Sequence, residues 1–191
     1  MAFLDPIHFH GPFAFFGEVN TIARCAYARD EGIYLWTQHN DQDIYIHYIG
    51  ETTDFLKRHR EHLTQILGLN YGLFAPNAVT ANRPEPIYGG MWRDRSDDPL
   101  TNGIEAWNRH RGMIVPYIES LRVYFAPTSI DKKSRKHIEG SIAEALRQNH
   151  PQDKRFYPDD NRTYTSKEKL CYTLRITSDD VISGLDEEIE I

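Results

Sequence analysis

The chain is poor in cysteine, in long apolar runs and in net positive charge. Cys25 and Cys171 are its two cysteines, too few for a disulfide framework and in no metal-ligand spacing. That usage points to a reducing compartment, the cytoplasm. No segment approaches the roughly 20 consecutive apolar residues of a membrane helix. The start, Met1 to Pro6, lacks the basic region of a secretory signal. A soluble cytoplasmic protein without a membrane partner is expected. The chain also lacks repeats, low-complexity tracts, a zinc finger, a helix-turn-helix and a basic arm, so no device for reading base sequence is visible.

A net charge of −6 speaks against a nucleic-acid partner. Its distribution softens that. Six acids and no base fall in residues 179–191, so residues 1–178 balance at zero. Basic residues cluster at 57–60 and again at 132–137. A neutral body with two basic stretches suits a phosphate backbone, although such runs also form solvated helix faces.

Hydrophobic residues make up 40% and aromatics 12%, enough for a folded core in one domain. Residues 1–18 read as irregular or short extended pieces. Within them His8 and His10 share a face if the segment is a strand, but nothing nearby in sequence completes a metal site. Residues 32–37 and 44–50 are rich in Tyr, Ile and Trp and flank a polar turn cluster, which predicts a hairpin. Alternation places Ile44, Ile46 and Tyr48 on one face of the second arm. Whether Tyr34 and Tyr48 share a side depends on register.

A helix is expected from about Asp54, capped by Thr52 or Thr53. Its apolar stripe is Phe55, Leu56, His59, Leu63, Ile66 and Leu67, with Arg58 and His62 along one edge. Residues 68–118, broken by prolines and Gly89-Gly90, read as an insertion, with a helix near 101–118 that Pro116 limits. Residues 121–126 read as a third strand, a helix follows to about Asn149, and 172–177 form a last strand. The acidic end, 179–191, is expected to be a tail that frays. The class is thus α+β: a small antiparallel or mixed sheet with three core strands, flanked by helices. Residues 1–30 extend the domain, and 68–118 lie between its first core helix and its third strand.

One residue stands out without any comparison. On the helical wheel Glu139 falls beside Leu146, inside the apolar arc of its helix. A carboxylate turned inward is costly unless it is paired or holds a metal. An ion pair with an arginine and a metal ligand are both open.

The tripeptides Gly32-Ile33-Tyr34 and Tyr48-Ile49-Gly50, the pair Arg58 and His62, and Glu139 follow one another in an order that resembles the GIY-YIG nuclease family. The likeness is close over 31–67 and looser over 120–150. It implies a metal-dependent endonuclease that hydrolyses DNA phosphodiester bonds, with Mg²⁺ (or Mn²⁺) held by Glu139. Arg58 would bind a phosphate oxygen, and Tyr48 would orient water or phosphate. Tyr34 would be the general base. Ionising a free tyrosine at pH 7 costs about 4 kcal/mol, so a relay is expected in which Tyr34 takes the water proton and passes its own to His62. The family often closes its motif with an asparagine after the glutamate helix. Asn161 is the candidate, and it reads equally as a turn residue.

Lys57, Arg60, Lys132, Lys133 and Arg135 are expected to contact the DNA backbone. A homodimer would cut both strands of a palindromic site. The alternative is a catalytically inactive nucleic-acid-binding or protein-interaction domain that keeps the same fold.

Overall fold

The expected hairpin forms as β3 (Gly32–His39) and β4 (Ile44–Thr52), the centre of the architecture. The computed structural model describes residues 2–3, 5–39, 43–75, 86–91, 97–149 and 172–191; Asn161 and Cys171 lie outside them. Around the hairpin the remaining elements are β1 (Ala2–Phe3), β2 (Ile7–Phe13), α1 (Phe55–Leu67), β5 (Leu73–Phe74), β6 (Pro86–Tyr88), α2 (Pro99–Ser120), β7 (Leu121–Pro127), α3 (Lys132–Asn149), β8 (Tyr172–Ser178) and β9 (Glu188–Glu190). No helix among the described residues is long and apolar enough to cross a membrane.

The class is α+β, but the sheet is larger than expected. Among the described residues it has seven strands in the order β1-β8-β2-β7-β3-β4, with β9 also on β8. β2 joins antiparallel to β7 and parallel to β8, so the N-terminal segment is part of the central sheet rather than an extension. Its alternation is the reason: Ile7 and Phe9 are buried in the core on one face, while His8 and His10 are partly exposed. Gly11-Pro12 masked that alternation in the sequence.

Two apolar layers cover the sheet. On one face Ile33, Leu35, Ile49 and Phe9 pack with Ile138, Ile142, Ala143 and Leu146 of α3. On the other Tyr34, Trp36 and Phe125 pack with Phe55 and Ile66 of α1 and Ile114, Tyr117 and Ile118 of α2. α1 starts at Asp54, whose carboxylate accepts from the Lys57 amide at 2.7 Å, and Thr52 Oγ1 in turn accepts from the Asp54 amide at 3.0 Å. Its buried face is Phe55, His59, His62 and Ile66, with Leu56 and Leu63 packed at its margins, so the expected stripe holds except that His62 is inside and Leu67 is 44% exposed. α2 runs through Pro116 to Ser120 instead of stopping there. Asp131 caps α3 by accepting from the amides of Lys133 and Ser134 at 2.9 and 3.1 Å.

The acidic end is built into the fold. Ile182, Ile189 and Ile191 are buried, β9 pairs with β8, and the Ser183 amide donates to Ile44 O at 2.8 Å. Buried isoleucines spaced between the acids outweigh the charge, so residues 179–191 are no tail.

One irregularity positions the site. Trp36 pairs with Tyr48, but Thr37 pairs with Ile46, so His47 is the extra residue of a β-bulge. The bulge breaks the expected Ile44-Ile46-Tyr48 face. Ile46 packs toward α3, whereas Tyr48 turns to the α1 face and stacks on Tyr34, ring centroids 6.0 Å apart.

Candidate active site

Both motif glycines are explained by what lies against them. Gly50 pairs with Tyr34 across the hairpin, and a Cβ on it would overlap the Tyr34 hydroxyl and ring. A Cβ on Gly32 would meet the Ala126 carbonyl and stand 2.8 Å from the Phe125 ring. The two absent side chains let β3 lie close to its neighbours and leave a slot for the phenol of Tyr34, which is fully buried.

A chain of polar contacts leads away from that phenol. Tyr34 Oη lies 2.7 Å from His62 Nε2, and Arg58 Nε donates to the same oxygen at 3.4 Å. His62 Nδ1 lies 3.1 Å from Tyr71 Oη. Burial, reinforced by Tyr48 and opposed by Arg58, pushes the Tyr34 pKa well above its ordinary value, so the phenol is protonated. Arg58 is a donor only. In the neutral His62 tautomer protonated on Nδ1, Tyr34 donates to His62 Nε2 and His62 donates to Tyr71, so in that tautomer the bonds run from Arg58 to Tyr34 to His62 to Tyr71.

Burial first, then the charge of Arg58 and the neighbouring His59, lowers the His62 pKa to about 2. His59 sits behind it as a structural ring. Its Nδ1 donates to the Phe55 carbonyl at 2.8 Å and its Nε2 accepts from Trp36 Nε1 at 3.0 Å. Burial holds its pKa at about 3.

Beside this chain lies a carboxylate pair. Burial, then the nearby Glu51, raises the Glu139 pKa to about 7, while Lys136 and Arg58 pull it down. Among the described residues Glu139 has no hydrogen bond or ion pair. Glu51 has partners. It accepts from Arg135 Nε at 3.4 Å and lies 4.0 Å from Lys132 Nζ. An open cleft of about 290 Å³ is lined by Glu51, Asp54, Lys57, Arg58, Glu61 and Lys132, with Thr52 and Thr53; of the two carboxylates Glu51 lines it and Glu139 does not.

The fold therefore brings Tyr34, Tyr48, Arg58 and His62 together, with Glu139 close enough to feel Arg58 electrostatically. Lys57 and Lys132 line the cleft; Arg60 and Lys133 are exposed outside it. Arg135 departs from expectation. It is 1% exposed, donating to Glu31 at 2.7 Å, to Glu51 and to the Ile130 carbonyl at 2.5 Å. It is an internal strut and cannot touch a phosphate backbone. One helical turn places Arg135 and Glu139 beside each other, and the arginine pairs with Glu51 and Glu31 instead of the inward glutamate.

Glu51 and Tyr71 were missed in the sequence. Glu51 follows Gly50 directly, and its proximity to Glu139 comes only from α3 packing on β4. Tyr71 sits past the end of α1, in a stretch without periodicity. Comparison with known protein families, curated proteins and solved structures found no match.

Proposed function

We propose that this chain is a metal-dependent endonuclease of the GIY-YIG type, acting on DNA phosphodiester bonds in the cytoplasm. The observation that carries the reading is the buried Tyr34 hydroxyl, 2.7 Å from His62 Nε2 with Arg58 on the same oxygen. That oxygen is fully buried at rest, so it takes a proton from a water, its own proton going to His62, once substrate binding at Arg58 admits a water beside it.

The carboxylates suit a hard cation. Glu139 lacks a protein partner among the described residues, and burial, then Glu51, raises its pKa to about 7, so a bound cation would offset the cost of ionising it. Glu139 would hold Mg²⁺ or Mn²⁺, with Glu51 as a neighbouring oxygen donor. When bound, such an ion offsets charge on the phosphate and on the leaving oxygen.

Arg58 binds a non-bridging phosphate oxygen and stabilises the charge that develops there. The same contact bears on the relay. At rest His62 is far too weak a base to hold a proton at neutral pH. A phosphate on Arg58 offsets the second of the causes that depress it, and water admitted with the substrate would offset the first, burial, so the relay is assigned to the substrate-bound state. Tyr48, stacked on Tyr34 and near His62, holds the phenol in place. Lys57 and Lys132 steer the backbone into the cleft.

A non-catalytic nucleic-acid-binding domain is the second reading. The test is cleavage of plasmid and single-stranded DNA with Mg²⁺, Mn²⁺ or EDTA, comparing the native chain with Glu139→Ala and Arg58→Ala. Metal-dependent cutting lost in both variants is expected. Cutting that persists in EDTA or in both variants overturns the mechanism, and DNA binding without cutting supports the second reading.

A further inference from the structure

The end of the chain brings a carboxylate to the two histidines that the sequence left incomplete. β2 and β8 run parallel, with His8 opposite Thr177 and Phe9 opposite Ser178. The next residue, Asp179, donates its amide to the Phe9 carbonyl at 3.0 Å, so it turns in between the two histidines that flank Phe9. Its Oδ1 lies 2.8 Å from His8 Nε2 and its Oδ2 lies 3.8 Å from His10 Nδ1. The possible ligand atoms of all three residues lie within 4.8 Å of one another.

We propose that His8, His10 and Asp179 form a binding site for a divalent transition-metal ion, of which Zn²⁺ is the type. Two imidazole nitrogens and one carboxylate oxygen are a donor set that favours zinc and its neighbours over Mg²⁺. Bonds of about 2.0–2.1 Å in a tetrahedron place ligand atoms roughly 3.3 Å apart. His8 Nε2 lies 2.8 Å from Asp179 Oδ1 and His10 Nδ1 lies 3.8 Å from Oδ2, so each ring faces one oxygen of the same carboxylate, within a small side-chain adjustment of that spacing. The three side chains are 31–44% exposed, so an ion can enter and water can fill the fourth position.

Each ligand is also held from behind, as metal ligands are. His8 Nδ1 lies 2.8 Å from Thr177 Oγ1, a hydroxyl that serves either imidazole tautomer. The Gly11 amide donates to Asp179 Oδ2 at 2.9 Å. The ring of His10 stacks on Tyr27 at 4.5 Å, which fixes its plane.

The site is separate from Glu139. His10 pairs with Phe125, Phe125 with Tyr34 and Tyr34 with Gly50, one row across the sheet. His10 is thus two strands from Tyr34, roughly 10 Å of backbone. An ion there would tie the first long strand to the turn after β8, a structural role.

Zn²⁺ titration of the full chain against a chromophoric chelator tests the proposal. With Mg²⁺ in excess, one Zn²⁺ per chain is expected, with at least tenfold weaker binding in His10→Gln and in Asp179→Asn and unchanged binding in Glu144→Gln, an exposed position on α3. Imidazole NMR of the native chain needs no variant: Zn²⁺ has to shift the rings of His8 and His10 and leave His59 and His62 in place. Absence of binding, equal affinity in His10→Gln, or rings elsewhere shifting in place of His8 and His10 overturns the site.

Discussion

Tyr34 and Gly50 face each other across the central hairpin, and the tyrosine's hydroxyl occupies the space where any other residue at position 50 would carry its Cβ. The glycine of the second tripeptide is therefore part of the position of the first tripeptide's tyrosine.

Gly50→Ala is expected to push the phenol off His62. Inserting a methyl into a packed site costs about 1–3 kcal/mol, and cleavage should fall further than stability does. Gly112 is the control. It lies in α2, is exposed and has nothing within 4 Å of a built Cβ. Gly112→Ala should stabilise by about 0.5–1 kcal/mol through helix propensity alone. Urea unfolding of both variants measures the contrast.

Removing the Tyr34 proton path should spare the fold and cost rate. Tyr34→Phe and His62→Gln are each expected to lower the cleavage rate by about 10²–10⁴, and the double variant should be little slower than either single one. Additive losses in single-turnover cleavage would mean that the two residues do not act as one relay.

Arg135 should behave as a buried ion. Arg135→Ala leaves Glu51, 11% exposed, without its guanidinium. Breaking such a pair costs about 3–5 kcal/mol. The salt dependence of DNA binding should not change, because Arg135 contacts no phosphate. Lys57→Ala, by contrast, should flatten that dependence at little cost in stability.

Three buried histidines should make the fold sensitive to mild acid. Burial lowers His47 to about 4, His59 to about 3 and His62 to about 2 from the ordinary 6.5. Below pH 6.5 the unfolded chain takes up these protons and the native chain does not, so stability falls with pH. Each histidine contributes about 1.4 kcal/mol per pH unit until its native pKa is reached. Glu139 opposes one of them. Its native pKa of about 7 exceeds the ordinary 4.5, so between those values the native chain holds the extra proton and stability falls as pH rises. Asp98, Asp131 and Asp179 are shifted downward from 3.8 and do not enter this window. Urea midpoints from about pH 7 to pH 5 in EDTA should drop steeply, and more steeply in Glu139→Gln. A flat profile would mean that the histidines are hydrated.

The sequence by itself determined the local elements. Alternating Tyr, Ile and Trp around a polar turn made the hairpin, Asp54 and Asp131 started the two helices beside it, and the order of Tyr34, Tyr48, Arg58, His62 and Glu139 marked one candidate site. These follow from side-chain periodicity and capping, which act over a few residues. Tertiary structure decided what depends on distant partners. A bulge at His47 turned Tyr48 toward Tyr34. Pairing with β7 and β8 made a strand of the His8-Phe9-His10 segment, and buried isoleucines drew the acidic end into the sheet. Packing of α3 on β4 set Arg135 on Glu51 and left Glu139 without a partner among the described residues. Asp179 reached His8 and His10 across more than 160 residues only because β2 and β8 lie side by side. Burial and pairing are properties of the packed chain, and they decide which of its charges are free to act.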